Sequence, residues 1–176
     1  LYFPANNGPA ASGTEFWKSD GTDVGTVLVK DVYPGASSST PSEVTNVNGT
    51  LYFNANDGVT GRELWKSDGT SSGTILLKDI APGTGESWPG FFTEMNGTAF
   101  FLAQDPNVPE LWTLWKTDGT TGGTVLVGST GDSNPYNFTS VDGGDVFFSA
   151  NDGTTGAELW KSDGTAAGTV LVKDIF

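Results

Sequence analysis

The stretch Glu63-Leu-Trp-Lys-Ser-Asp-Gly-Thr70 decides how this chain is read, because the chain contains it again and again. Glu15-Phe-Trp-Lys-Ser-Asp-Gly-Thr22, Thr113-Leu-Trp-Lys-Thr-Asp-Gly-Thr120 and Glu158-Leu-Trp-Lys-Ser-Asp-Gly-Thr165 align with it, placing tryptophans at Trp17, Trp65, Trp115 and Trp160. Their spacings are 48, 50 and 45 residues. A self-similar period of this size is the mark of a propeller, a solenoid or a comparable array.

Working outward from the motif, each unit reads as four strands. The first precedes an Asn-Gly or Gly-rich turn, as in Glu43–Val47 and Phe91–Met95. The second is an apolar run: Leu51-Tyr-Phe53, Ala99-Phe-Phe101, Val146-Phe-Phe148 and, in the first copy, Leu1-Tyr-Phe3. The third carries Leu-Trp-Lys. The fourth is Gly25–Val29, Gly73–Leu77, Gly123–Val127 or Gly168–Val172. Asn48-Gly49 and Asn96-Gly97 are hairpin signals, since both central residues of a type I′ turn need positive φ. Longer Pro/Gly/Ser-rich links, Tyr33–Pro41 and Ala81–Pro89, have the length to cross from an outer strand to the inner strand of the next unit.

Leu51-Tyr-Phe53 and Ile75-Leu-Leu77 are consecutive apolar residues rather than an alternation. Successive strand side chains point to opposite faces, so both faces of each small sheet must be covered. The expected fold is all-β, a β-propeller-like array of four-stranded antiparallel blades. It is read as one repeat domain, 1–176, with units near 1–33, 42–80, 90–128 and 135–176. A solenoid ranks second and a sandwich third.

Composition removes several chemistries. There is no Cys and no His among 176 residues, so thiolate nucleophiles, disulfides and imidazole-based triads are excluded. The net charge of −13 comes from 21 acids against 8 evenly scattered bases. With no basic stripe, nucleic acid is not an expected partner. No apolar run approaches the ~18 residues of a spanning helix, so membrane insertion is not expected.

The repeated acids carry two readings. Glu15, Glu63 and Glu158 recur in equivalent slots, and Thr113 stands in the third unit. A glycosidase needs two carboxylates in one special place; replicated ones point to a structural role, and no catalytic residue is assigned. Asp20, Asp68, Asp118 and Asp163 open the Asp-Gly-Thr turns. They are candidate ligands for a structural calcium, but an Asp that accepts a backbone hydrogen bond two residues on explains the turn without metal. No other cofactor is expected. Asn48-Gly-Thr50, Asn96-Gly-Thr98 and Asn137-Phe-Thr139 match the glycosylation acceptor pattern.

Departures from the repeat are the places to look for ligand contacts. The third unit has Gln104-Asp-Pro-Asn-Val-Pro-Glu110 in place of Asn-Asp-Gly, adds Trp112, and loses Lys-Asp at Gly128-Ser129. Trp88 lies in an inter-unit link. Trp88 and Trp112 are the candidate ligand-binding residues, since a tryptophan beside acids and amides can stack on a sugar ring.

The core motif strongly resembles the ELWxxDGT repeat family. Glu63–Thr70 and Glu158–Thr165 match it fully, Glu15–Thr22 has Phe16 for Leu, and Thr113–Thr120 lacks the Glu. The resemblance implies a large secreted or cell-surface bacterial protein with propeller-like repeats; it implies no activity. The expected function is an extracellular structural or adhesive module, one that self-associates into a surface or extracellular fibre in one version. The alternative is a carbohydrate-binding or carbohydrate-active propeller. Expected partners are neighbouring repeats or copies of the chain itself, with extracellular glycans under the alternative. Because Leu1-Tyr-Phe3 corresponds to a second strand, the chain is expected to be an excerpt of a longer array. A strand returned from its own C-terminal extension to close a ring and one given by a neighbouring molecule are the other ways to cover its open edge.

Overall fold

The structure is a computed structural model that describes residues 1–6, 8, 13–128, 135–141 and 144–175, with the side chains of 109 and 110 left aside. Ser129 of the Gly128-Ser129 departure therefore lies outside the described residues, as does Phe176. Sheet 1 contains β1 (Tyr2–Asn6), β2 (Thr14–Lys18) and β3 (Val27–Lys30). Sheet 2 contains β4 (Ser42–Val47), β5 (Thr50–Asn56), β6 (Arg62–Ser67) and β7 (Ile75–Lys78). Sheet 3 contains β8 (Gly90–Met95), β9 (Thr98–Asp105), β10 (Val108–Thr117) and β11 (Val125–Gly128). Sheet 4 contains β12 (Tyr136–Val141), β13 (Asp145–Asn151), β14 (Ala157–Ser162) and β15 (Val170–Lys173). Every sheet is an antiparallel meander in chain order.

The register repeats with the motif. Each motif tryptophan lies opposite a phenylalanine of the preceding strand: Trp17 and Phe3, Trp65 and Phe53, Trp115 and Phe101, Trp160 and Phe148. Cross-strand aromatic pairs of this kind stabilise a sheet locally. A register shift falls just before the tryptophan in every sheet, so that Leu64 pairs with Lys78 and Trp65 with Leu76. Such bulges bend the strand and increase its twist.

The chain forms two compact units, Leu1–Gly90 and Phe91–Phe176. In the first, Phe16, Val29 and Val32 pack on Leu51, Phe53, Ala55 and Trp65 of sheet 2. The Phe16 and Phe53 rings stack with centroids 4.5 Å apart. Lys18 Nζ donates to the Gly69 carbonyl at 2.9 Å, and Lys30 Nζ to the Ser71 carbonyl at 3.3 Å. The second unit repeats this design: Phe100, Leu102, Leu114 and Val127 pack on Val146, Phe148 and Ala150. Lys116 Nζ reaches the Gly164 carbonyl at 2.7 Å.

Burial agrees with the two-faced reading of the strands, since Leu51, Tyr52 and Phe53 are all buried although they alternate in direction. The motif tryptophans are not uniformly buried. Trp65 is buried, whereas Trp17, Trp115 and Trp160 are half-buried. Trp65 is covered by the Phe16–Val29 face of sheet 1.

The turns follow their sequence signals. Asn48 and Gly49 have φ of 50° and 87°, and Asn96 and Gly97 have 50° and 82°, as a type I′ turn requires. In the Asp-Gly-Thr turn, Asp68 Oδ1 accepts from the Thr70 amide (2.8 Å) and hydroxyl (2.7 Å), and that hydroxyl accepts from the Gly73 amide (3.0 Å). Thr74 Oγ1 then donates to the Thr70 carbonyl at 2.6 Å. A Cβ on Gly73 would overlap the Asp68 carboxylate, and the same holds at Gly25, Gly123 and Gly168. The structural motif is thus longer than eight residues and includes the second glycine.

Trp65→Ala should lower unfolding free energy by ~3–5 kcal/mol, the range for large aromatic truncations in a core. A denaturation midpoint that does not move would rule out its packing role. Gly73→Ala should destabilise clearly in the native background and much less in an Asp68→Ala background. Equal losses in both backgrounds would mean that the Asp68 side chain does not fill that space.

Candidate functional site in the second unit

The recurrent glutamates are buried inside the link that follows each sheet. Glu15 accepts from the amides of Val32 (2.8 Å) and Ser39 (2.9 Å) and from the Ser39 hydroxyl (2.5 Å). Glu63 accepts from the amides of Ile80 (2.7 Å), Ala81 (3.3 Å) and Ser87 (3.2 Å) and from the Ser87 hydroxyl (2.6 Å). Glu158 takes the Ile175 amide at 3.3 Å. Each carboxylate ties the exit of the fourth strand, and in the first two cases the far end of the link as well. In sheet 3, Thr113 stands in this slot, donating to the Ala103 carbonyl (3.1 Å) and accepting from Trp115 Nε1 (3.0 Å).

The turn aspartates are likewise committed. The Thr22, Thr70 and Thr165 hydroxyls, followed by the same residues' amides, hold Asp20, Asp68 and Asp163 below the usual carboxylate range. Asp118 Oδ1 takes the equivalent pair of bonds from Thr120 at 2.8 and 2.7 Å. Asp152, in a different loop, is held far below that range by the amides of Thr155 and Thr154. Each Asp-Gly-Thr turn supplies one carboxylate. Among the described residues, no group of three or more carboxylates is gathered in one place.

Sheets 2 and 3 differ at the N-terminal end of their first strands. In sheet 2 it is filled by a polar network. The Arg62 guanidinium donates to Asn54 Oδ1 (2.6 Å), to the Thr40 carbonyl (2.8 Å) and to the Thr40 hydroxyl. Ser42 Oγ also donates to Asn54 Oδ1 (2.8 Å), and Asn54 Nδ2 donates to the Pro89 carbonyl (2.8 Å). Arg62 lies 4.6 Å over the Trp88 ring. Its burial pulls the guanidinium below its ordinary pKa.

In sheet 3 the register puts Leu102 where sheet 2 has Asn54, and Trp112 where it has Arg62. Phe91 takes the place of Glu43, with φ of 56° and 60° respectively. The plug is gone. A cavity of about 330 Å³ opens there, lined by Phe91, Leu102, Trp112, Pro135 and Tyr136. Phe91 meets Trp112 edge-on at 6.4 Å and 83°. Phe91 and Tyr136 are about half exposed, at 56% and 45%, so two of the three rings are open to solvent.

No family model matches this chain, and no curated protein matches it. Among solved structures, the crystal structure of puromycin hydrolase has a TM-score of 0.63 at 16% identity, covering 98% of this chain and 28% of the hydrolase. A mutant form of that enzyme complexed with PGG gives 0.61, at the same identity and coverage. The endo-arabinase of Bacteroides thetaiotaomicron VPI-5482 gives 0.44 at 16% identity, covering 97% of this chain and 74% of the arabinase. The sheets are propeller-like blades. The chain spans 28% of the length of the hydrolase it resembles, and at this identity the likeness concerns the fold.

The residues singled out in the sequence fall in different surroundings. Trp112 lines the pocket of the third blade, whereas Trp88 belongs to the first unit, with φ of 49° and its ring beneath Arg62. Asn48, Asn96 and Asn137 are all exposed. The third-blade departure forms a turn at Pro106–Asn107, where the Asn107 amide bonds Asp105 Oδ1 at 2.7 Å. This lets β9 and β10 run longer than their counterparts. Phe91, Leu102, Pro135 and Tyr136 were not recognised from sequence. The available signal was the exchange of Glu43 and Asn54 for apolar residues at matching repeat positions.

Burial pushes Glu63 up from 4.5 to about 7, against the opposing hydrogen bonds from Ser87, Ile80 and Ala81. A folded pKa above the unfolded one means that the native state binds more protons in between. The associated stability is full below about 4.5 and is lost as pH rises through about 7. The stability of the native chain relative to Glu63→Gln should therefore fall as pH is raised across that window in urea titrations. A constant difference between the two proteins would show that Glu63 does not titrate there.

Proposed function

We propose that this chain is a binding module of an extracellular or cell-surface repeat protein of the ELWxxDGT kind, adhesive rather than catalytic, with the aromatic pocket of the third blade as its glycan contact. One observation carries this reading: Asn54 and Arg62 of the polar plug in the second blade are replaced at the matching repeat positions by Leu102 and Trp112, with Phe91 in the slot of Glu43. An aliphatic-and-aromatic cluster that only filled space would leave no opening. This one leaves about 330 Å³, at the small end of the roughly 300–1,000 Å³ typical of ligand pockets.

The C–H face of a pyranose ring suits half-exposed aromatic rings, because it buries apolar surface while its equatorial hydroxyls stay hydrated. Tyr136 and Trp112 each add one polar group for orientation. The non-catalytic part of the proposal is supported by the use already made of the recurrent carboxylates, in link clamps and closed turns. The exposed Asn-x-Thr sites agree with an extracellular setting.

On a glycan array, the chain should retain a defined set of sugars, and Trp112→Ala and Tyr136→Ala should each weaken that binding about tenfold or more with melting curves little changed. Trp88→Ala should leave it unchanged. No retained glycan, or retention insensitive to Trp112→Ala, would overturn the proposal.

A further inference from the structure

The hairpins that open blades 2 and 3 turn through Asn48-Gly49 and Asn96-Gly97, and all four residues are exposed. An Asn-Gly bond holds a nucleophile and an electrophile side by side. The glycine amide nitrogen loses its proton to base and attacks the asparagine Cγ; a five-membered succinimide closes as ammonia is expelled. Water then opens either ring carbonyl, giving aspartate or isoaspartate. Glycine puts no Cβ in the path of that attack, and an exposed turn admits the water.

The motif turns place the same atoms together but disarm them. There Asp68 stands in the asparagine's position, and its carboxylate, bonded by the Thr70 amide and hydroxyl, is a poor electrophile. Its neighbour's nitrogen is held as well: the Gly69 amide donates to Ser67 Oγ at 2.9 Å. The amides of Gly21, Gly119 and Gly164 donate in the same way to Ser19, Thr117 and Ser162, each at 3.0 Å.

Asn48 and Asn96 keep the reactive carboxamide, so the glycine amide decides how fast each reacts. The Gly49 amide donates to Asn46 Oδ1 at 2.8 Å, and the Gly97 amide to Glu94 Oε1 at 2.7 Å. Asn46 and Glu94 hold the same repeat position, three residues before the glycine. One acceptor is a neutral carboxamide and the other a carboxylate. A charged acceptor grips the amide proton more strongly. Its negative charge also opposes the anion that forms on nitrogen as that proton leaves. The remaining Asn-Gly pair, Asn7-Gly8, has Asn7 outside the described residues.

We propose that Asn48 is a site of spontaneous deamidation, and that Glu94 protects its counterpart Asn96 by holding the attacking amide. Conversion at Asn48 adds a negative charge to a chain already at −13 and removes one Asn-x-Thr acceptor pattern. The isoaspartate product also routes the backbone through the side-chain carbon. That lengthens the two-residue turn that sets the register of β4 on β5. The proposal is independent of the aromatic pocket.

The native chain is aged in mildly alkaline buffer, and peptide mass spectrometry follows the replacement of –NH2 by –OH at each asparagine. Asn48 should convert first, with Asn96 slower by about threefold or more, the margin of a charged over a neutral acceptor. Glu94→Gln should bring Asn96 up to the rate of Asn48, and Asn46→Glu should slow Asn48 to match native Asn96. In urea the two sites should react alike, because both read Asn-Gly-Thr. Melting curves of the two variants, altered only at exposed positions, confirm that they are folded. An Asn48 that stays intact while the unfolded chain converts would overturn the site. Equal native rates, or an Asn96 rate unmoved or lowered by Glu94→Gln, would overturn the protection.

Discussion

Removing a carboxylate from water is expensive unless donors replace its hydration shell, and a buried one with no donor would shift its charge state or unfold the site. Glu15 and Glu63 draw their donors from the link that leaves their own blade. For Glu63 these offset only part of the burial cost, which still pushes its pKa up to about 7. The amide two residues after the fourth strand and the amide nine residues on both point at one side chain. A link of this kind has few regular hydrogen bonds of its own, and the glutamate supplies them. Within the first unit, where β4 starts is therefore set by one buried side chain of sheet 1, Glu15. The faces that must then meet are those carrying Phe16 and Phe53.

The rest of the repeat serves the same end. A small sheet with apolar residues on both faces cannot bury both alone, so it needs a neighbour on each side. The aromatic pairs across β5 and β6, the lysine reaching the next turn and the closed Asp-Gly-Thr turn each hold one part of that stacking in register. This uses up the recurrent chemistry of the chain. The proposed recognition site lies where repeat positions have been exchanged, in the third blade. Its Thr113 also replaces the clamp glutamate, and bonds the Ala103 carbonyl and Trp115 Nε1 instead.

Much of the architecture was legible in the sequence because repetition makes it so. Four copies of one motif fix the period, Asn-Gly dipeptides mark the hairpins, and unbroken apolar runs such as Leu51-Tyr-Phe53 demand cover on both faces. The glutamate slot was read as structural, yet its partners were not found, although Ser39 and Ser87 follow Glu15 and Glu63 at the same separation. The need for Gly73 was missed because it arises from the space that the Asp68 side chain occupies, not from a positive φ. The pocket was least legible. Trp112 drew notice as an added residue, but Phe91, Leu102 and Tyr136 come from three strands and look like ordinary core apolar residues until the register aligns them.

The account rests on the buried glutamate as the tie that holds each link, and amide hydrogen exchange reads that tie directly. The amides of Ile80 and Ala81 lie outside the strands, yet both donate to Glu63. They should exchange as slowly as core amides of β5 and β6, and become fast in Glu63→Ala while the strands stay protected. Exchange of Ile80 and Ala81 at the rate of exposed loop amides in the native chain would contradict it.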